Sequence, residues 1–349
     1  MRLLLASIFV GCGGNITTKV TDTSDSAGEP SAQPTDEPST QPSSEPGQPS
    51  SEPSTQPSSE PSQPSSEPSQ PSSEPSGEPV EADDYTQTGP YTVNSTSSSI
   101  SATGCDNGMS YTAFAPQGVS NPVTVVLAHG FLRGGSLGVH TMTGWGEHYA
   151  SWGVEVLVPV LCHYSLTGAD HEMNGQNMIE LADAHGATQV IYAGQSAGGL
   201  ASVIAAAQDS DALGVIGLDA TDTDGMFSDP IGQGYAGSVS QPAFALVAEP
   251  SSCNSENNGV TLFEMMNNAQ ALRVTSSDHC DYENPTDWGC EAVCLNQSTS
   301  FDDAQIGTAV AQLSTAAILA LTGDADAGAA WTDSALSEWI DSGLIDRLR

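Results

Sequence analysis

Short apolar runs that alternate with segments of helical spacing restrict the fold of this chain more than any other feature of its sequence. The runs occupy residues 123–128, 154–160, 189–193, 214–218 and 243–248. An uninterrupted apolar run of this length is typical of a parallel strand that is covered on both faces. The alternation predicts an α/β fold with a mostly parallel, doubly wound sheet, opened by antiparallel strands at 91–96 and 110–115.

Residues 13–84 differ in composition, because most of the proline of the chain lies before residue 85. Within 41–79 the sequence repeats Ser-Glu-Pro and Ser-Gln-Pro units and contains no aromatic residue. Such a segment cannot bury enough apolar area to offset the entropy that is lost on ordering. We therefore predict a disordered Ser/Glu/Pro-rich linker at 13–84, followed by one folded domain at 85–349.

Residues 1–12 carry a targeting pattern. One Arg precedes the apolar stretch 3–10, and Gly11 precedes Cys12. This order resembles a bacterial lipoprotein signal that is cleaved before Cys12, which then carries the lipid. The resemblance implies a protein of the bacterial cell envelope, anchored at the outer membrane and facing outward. A secreted protein without an anchor is the alternative.

The charge balance excludes several classes of partner. The chain has 43 acidic and 6 basic residues, so its formal net charge is -37. A chain this acidic lacks the basic patch that binds DNA or RNA backbones, and anionic lipid does not attract it. No apolar run approaches the roughly 18 residues that a membrane-spanning helix needs. We expect no nucleic-acid partner, and membrane contact only through Cys12.

The motif that carries chemistry is Gly-Gln-Ser-Ala-Gly at 194–198. A predicted strand runs directly into it and a predicted helix leaves it, which is the context of a nucleophile elbow. The sharp turn exposes the serine hydroxyl, and the N-terminus of the helix favours developing negative charge. We predict Ser196 as the nucleophile.

A serine nucleophile needs a base and an acid, which follow it in the order acid and then His in this kind of fold. The chain has seven histidines, and only His279 comes after Ser196. Two carboxylates stand where strands end: Asp219 closes the run 214–218, and Glu249 closes the run 243–248. Either could orient the imidazole and stabilise its protonated form.

The tetrahedral intermediate of acyl transfer needs two backbone N–H groups that are aimed at its oxygen. One is expected from Ala197, the residue after the nucleophile. The other should follow the strand at 123–128, where the sequence reads His-Gly-Phe, and we assign it to Phe131.

The motifs together resemble the α/β-hydrolase superfamily, and within it the chlorophyllase-like and cutinase-like (polyester hydrolase) branch. The segments that carry the resemblance are VVLAHGFLRG at 125–134, ASWGVEVLVPV at 150–160, GQSAGG at 194–199 and VIGLDATDTDG at 215–225. The resemblance implies an α/β-hydrolase fold and ester chemistry. Chlorophyllases place the acid at the position of Asp219, whereas polyester hydrolases place it one strand later, at Glu249. We take Asp219 as the acid and keep Glu249 as the alternative.

Six cysteines remain when Cys12 is set aside, and an even number in an exported domain predicts disulfides. Cys253 lies four residues after Glu249, and Cys280 directly follows His279. Polyester hydrolases have a disulfide in a similar place. We therefore expect a Cys253–Cys280 pair that joins the loop after Glu249 to the loop that carries His279. We expect no metal site.

The predicted function is that of a serine esterase or lipase, tethered at the surface or secreted, which acts on small-molecule or polymeric esters without a cofactor. Two alternatives stay open. One is a peptidase or amidase on the same fold. The other is a catalytically dead lipoprotein that binds at the cell surface.

Overall fold

The five apolar runs form strands of one nine-stranded sheet in the part of the chain that a computed structural model describes. That part covers residues 83–131, 136–164, 168–223, 230–286, 288–294 and 300–349. The strands are β1 Val93–Ile100, β2 Met109–Pro116, β3 Thr124–Ala128, β4 Glu155–Pro159, β5 Val190–Gln195, β6 Ala212–Leu218, β7 Ala243–Val247, β8 Ala269–Val274 and β9 Ile345–Arg347. The predicted signal at 1–12, with Cys12, and the predicted linker up to residue 82 lie outside the described residues.

Helices connect the strands and cover the sheet. They are α1 Ser136–Ser151, α2 His171–His185, α3 Ala197–Gln208, α4 Gln233–Ala236, α5 Val260–Met265, α6 Trp288–Val293, α7 Asp303–Leu321, α8 Ala325–Ala329 and α9 Ser337–Ser342. Two short 3-10 segments, Ser252–Asn257 and His279–Tyr282, follow β7 and β8.

The strand order is β1-β2-β4-β3-β5-β6-β7-β8-β9. The six strands from β3 to β8 pair with one another in parallel. Strands β1, β2 and β9 pair antiparallel at the two ends of the sheet. The prediction of a mostly parallel α/β sheet that opens with two antiparallel strands is thus confirmed.

The position of β3 creates a crevice at one edge of the sheet. The chain passes from β3 to β4 on one side and then returns to β5 on the other side of β3. Connections that leave a strand in opposite directions open a crevice outside the carboxyl ends of the neighbouring strands. The loops after β3 and β5 meet at this point.

The core has two apolar layers, because successive strand residues point to opposite faces of the sheet. Val125 and Leu127 of β3 face the layer that includes α1 and α7. Val126 and Ala128 face the layer that includes α2 and α3. These four β3 residues are fully buried, and close packing on both faces holds β3 rigidly beneath the crevice.

One helix in the described residues, α7, is long and apolar enough to cross a membrane, with a mean hydropathy of 1.4. Its residues Val310, Leu313 and Ala317 are buried in the core layer beside α1. An apolar composition of this kind is what burial against a sheet requires of a core helix.

The disulfides differ from the expected pairing. The bonds are Cys105–Cys162, Cys253–Cys294 and Cys280–Cys290, so the predicted Cys253–Cys280 pair is wrong. Helix α6 supplies the partner of Cys280 and immediately precedes the partner of Cys253. The two loops are therefore both joined to the α6 segment instead of directly to each other.

Candidate active site

Ser196 occupies the turn between β5 and α3 with a strained backbone. Its φ is 56° and its ψ is -124°, in a region that non-glycine residues rarely adopt. Both backbone polar groups of Ser196 are hydrogen-bonded. Its N–H donates to the Leu218 carbonyl (3.1 Å), and its carbonyl accepts from the N–H groups of Gly199 (2.9 Å) and Thr221 (3.2 Å). This is the conformation expected of a nucleophile elbow.

Two glycines allow the loop after β3 to approach the elbow. A Cβ on Gly198 would lie 2.5 Å from the carbonyl oxygen of His129 and 2.6 Å from that of Ala128. A Cβ on Gly130 would lie 3.2 Å from the Cβ of Ser196 and would collide with the carboxamide of Gln195. Only glycine fits at these positions, and the result is that the end of β3 lies against Ser196.

The side chain of His129 fixes the orientation of the loop that carries Phe131. Its Nε2 accepts from the Leu161 N–H (3.2 Å), so its Nδ1 carries the hydrogen and donates to the Gly130 carbonyl (2.8 Å). Because the C=O and N–H of a trans peptide point in opposite directions, the Phe131 N–H points away from the His129 ring. The His129 ring thereby orients the backbone donor predicted at Phe131.

Phe131 and Ala197, the two predicted oxyanion donors, line the same cavity as Ser196. Within the described part of the chain, neither backbone N–H has a hydrogen-bond partner. For Ala197 this follows from its place as the first residue of α3, since the first N–H groups of a helix have no acceptor within it.

His279 and Asp219 are in direct contact. The Nδ1 of His279 lies 2.6 Å from Oδ2 of Asp219, and the Asp219 side chain is fully buried. Asp219 follows β6 and has a φ of 46°. Its Oδ1 accepts from the backbone N–H of Ala248 (3.0 Å), and the amide nitrogen of Asn254 lies 3.2 Å from Oδ2. These donors fix the direction of the carboxylate.

Glu249, the alternative acid, has other partners. Its Oε1 accepts from the backbone N–H of Ser276 (3.2 Å), and its Oε2 lies 4.0 Å from Nε of Arg273. The structure therefore brings His279 together with Asp219, and it directs Glu249 towards the end of β8.

Gln195 is a site residue to which the sequence analysis gave no role. Its Nε2 lies 3.2 Å from Nε2 of His279 and 3.1 Å from the His279 carbonyl oxygen. The only signal in the sequence is its place directly before Ser196. Gln195 ends the buried strand β5, and its side chain reaches the segment that carries His279.

The site opens into a cavity of about 590 Å³. Ser196 and His279 line it together with Gln195, and so do Cys253, Cys290 and Cys294 of the two disulfides. The sulfur atoms of Cys280, Cys290 and Cys294 lie within 4.8 Å of one another. All three are disulfide-bonded, so none offers the thiolate that a metal ion would need.

A second acidic group, Asp281, lies two residues after His279. Its pKa is raised from 3.8 to about 6, mainly by burial and also by the carboxylates of Asp278, Asp303 and Asp219. A hydrogen bond from the backbone N–H of Asp278 (2.6 Å) opposes this effect. The 3-10 segment that carries His279 thus holds an acidic group, Asp281, whose charged form is disfavoured.

Replacing Asp281 with asparagine is expected to stabilise the fold at neutral pH. Between about pH 4 and 6 the folded state retains a proton that the unfolded chain has lost, so the contribution of Asp281 to stability falls as the pH rises through this window. Above it, the buried charge costs about 1–2 kcal/mol after allowance for partial solvation. Urea unfolding at pH 7.5 and at pH 4 measures the difference. A gain of the same size at both pH values would contradict this prediction.

Comparison of the sequence with protein-family models finds no match, and comparison with curated proteins finds none either. The chemistry of the site must therefore be inferred from the geometry of Ser196, His279 and Asp219.

Proposed function

We propose that this protein is a serine hydrolase of the α/β-hydrolase type that cleaves carboxylic esters through an acyl-enzyme. The observation that carries the proposal is the 2.6 Å contact between His279 and the buried Asp219, since His279 lines the same cavity as Ser196, which lies on a strained turn. A nucleophile, a base and an orienting acid that follow one another in this chain order are the parts of a Ser-His-Asp triad.

The position of the site in the sheet supports the hydrolase assignment. Ser196 follows β5, and the loop with Phe131 joins β3 to α1, so both lie where the strand order reverses. In α/β-hydrolases, the second oxyanion donor comes from this loop. Asp219 follows β6 and His279 follows β8, which brings four strand ends to one edge.

The proposed reaction begins when Ser196 Oγ attacks the ester carbonyl and His279 Nε2 takes its proton. Asp219 accepts the hydrogen bond from Nδ1 and stabilises the positive imidazolium. The N–H groups of Ala197 and Phe131 bind the oxyanion. His279 then returns the proton to the leaving alcohol, and water, activated by the same base, releases the acid from Ser196.

The substrate can be a small-molecule or a polymeric ester. The proposed steps use only groups of the chain, the ester and water. The lipid anchor at Cys12 and the location in the cell envelope stay predictions from the sequence. An anchored enzyme would act on esters outside the cell, at the distance that the linker allows.

Covalent labelling tests the proposal directly. A fluorophosphonate reacts only with an activated serine, so we expect one equivalent of label on the peptide that contains Ser196. Hydrolysis of p-nitrophenyl esters from acetate to laurate should stop in proportion to labelling. Folded protein that neither hydrolyses these esters nor reacts with the probe would contradict the proposal.

Matched p-nitroanilides, run beside the esters, separate ester from amide chemistry. We expect the esters to be cleaved at least about 100-fold faster, relative to their rates in buffer, because an amine leaving group depends on proton transfer from His279, whereas p-nitrophenolate can leave without it. Faster cleavage of the anilides would favour the peptidase or amidase alternative. Binding without turnover would favour the dead binding protein.

A further inference from the structure

Gln195 is the buried side chain that contacts the base from the side opposite Asp219. It is 1% exposed. Its NH2 group reaches two atoms of one residue, the ring Nε2 of His279 at 3.2 Å and the backbone carbonyl oxygen of His279 at 3.1 Å. Its Oε1 is buried against Gly130 and has no hydrogen-bond partner in the described part of the chain.

These contacts fix the direction of the carboxamide. The His279 carbonyl can only accept a hydrogen bond, so the group that faces it must be the NH2 and not Oε1. The same NH2 faces the ring Nε2, which must then be unprotonated. The hydrogen of the neutral imidazole is therefore on Nδ1, where Asp219 accepts it at 2.6 Å.

We infer that Gln195 is a positioning residue, one that holds His279 as the neutral imidazole protonated at Nδ1 and so keeps Nε2 ready to take the proton of Ser196. This role rests on the proposed function. During attack, Nε2 exchanges the hydrogen bond of Gln195 for that of the serine hydroxyl. The second N–H of Gln195 continues to hold the main chain of the base loop through the His279 carbonyl.

The same contact opposes protonation of the resting base. A proton on Nε2 would face the NH2 group, and a hydrogen bond to the neutral form would be lost. Rotation of the carboxamide would not relieve this conflict, because Oε1 would then face the His279 carbonyl while the NH2 would press on Gly130. Replacement of Gln195 is therefore expected to change the pH dependence of the reaction.

Other titratable groups also surround the imidazole. Asp219 contacts it from the loop after β6, Asp278 and Asp281 flank it on its own segment, and Glu283 and His171 line the same cavity. All five are unchanged in variants of Gln195. A difference in pH dependence among such variants thus reports on position 195.

The test compares the wild-type protein with Gln195→Met, which keeps the length but removes the donors, and with Gln195→Glu, which places an acceptor beside Nε2. The readout is the pH dependence of kcat/KM for p-nitrophenyl acetate. We expect the acid-side midpoint to rise in the order Gln, Met, Glu, by about 0.5 unit for Met and by more than about 1 unit for Glu. Gln241 lies just before β7, at the amino end of the strand, away from the site. Gln241→Glu is therefore the control for added charge and should leave the midpoint unchanged.

Nitrogen-15 NMR of the His279 ring gives a second readout that needs no substrate. We expect the tautomer protonated at Nδ1 in the wild-type protein, and a shift of the Nε2 signal towards that of a free ring nitrogen in Gln195→Met. Equal or lowered midpoints in both variants, or an unmoved Nε2 signal, would overturn the inference. Absence of wild-type hydrolysis would instead overturn the proposed function, so the two failures are distinguishable.

Discussion

Replacing Ser196 with alanine is expected to lower kcat for p-nitrophenyl acetate by about 10⁴- to 10⁶-fold, because the removal of a triad nucleophile abolishes the acyl-enzyme. Alanine keeps the Cβ of serine, and the strained φ of 56° is therefore neither relieved nor worsened. The residual rate reflects what Ala197 and Phe131 provide as oxyanion donors. Single-turnover measurements separate this loss from any change in binding, since KM for the short ester should change little.

Ser202 provides the matched control for this substitution. It lies in the same helix, is buried, and donates only to the Gly198 carbonyl (2.8 Å) among the described residues. Ser202→Ala should keep kcat within about threefold of the wild-type value. An equal loss in both variants would mean that disturbance of α3, and not removal of the nucleophile, explains the effect. Wild-type activity in Ser196→Ala would remove Ser196 from the reaction.

The meeting of Ser196, Asp219 and His279 at one edge of the sheet follows from features that are readable in the sequence. Ser196 and Asp219 come shortly after apolar runs, and parallel strands bring their carboxyl ends to the same edge. The runs at 189–193 and 214–218 have no internal break, which is why their strands could be predicted. His279 instead follows β8, whose sequence AQALRV is interrupted by Gln270 and Arg273. Strand β9, Ile345–Arg347, was not predicted, because three residues with two charges carry no strand pattern.

The choice between Asp219 and Glu249 could not be made from local pattern, because both close an apolar run. It depends on which carboxylate the 3-10 segment after β8 approaches, and this is set by packing over long distances in sequence. The disulfides illustrate the same limit. Cys280 pairs with Cys290 across 10 residues, and spacing alone does not distinguish this bond from the expected one.

Gln195 shows a different limit of sequence reasoning. Glutamine carries no charge and no nucleophile, so neither composition nor motif marks it as part of a site. Its importance arises only when β5 directs the carboxamide towards the backbone carbonyl of His279. Polar groups that act through a buried hydrogen bond are found by accounting for each donor and acceptor in the folded state.

Replacing Asp219 with asparagine is expected to lower kcat by about 10⁴-fold near neutral pH. The buried amide can keep the bond from the Ala248 N–H to its oxygen, but it then presents a donor to Nδ1 of His279. The imidazole of His279 then adopts the tautomer with its hydrogen on Nε2, and this nitrogen can no longer accept the proton of Ser196. Labelling of Ser196 by a fluorophosphonate should slow in parallel, which makes the loss visible without a substrate.

Glu249→Gln is the matched substitution at the alternative acid. Its carboxylate contacts the Ser276 N–H and lies near Arg273, so the loss of its charge should change kcat by less than about threefold. The double variant should stay within about threefold of Asp219→Asn alone, since the effects of groups that share no side-chain partner are additive and that of Glu249→Gln is small. A large loss in Glu249→Gln together with a small one in Asp219→Asn would reverse the assignment. It would mean that the base loop moves towards β8 during turnover, because only then could the Glu249 carboxylate reach the ring of His279.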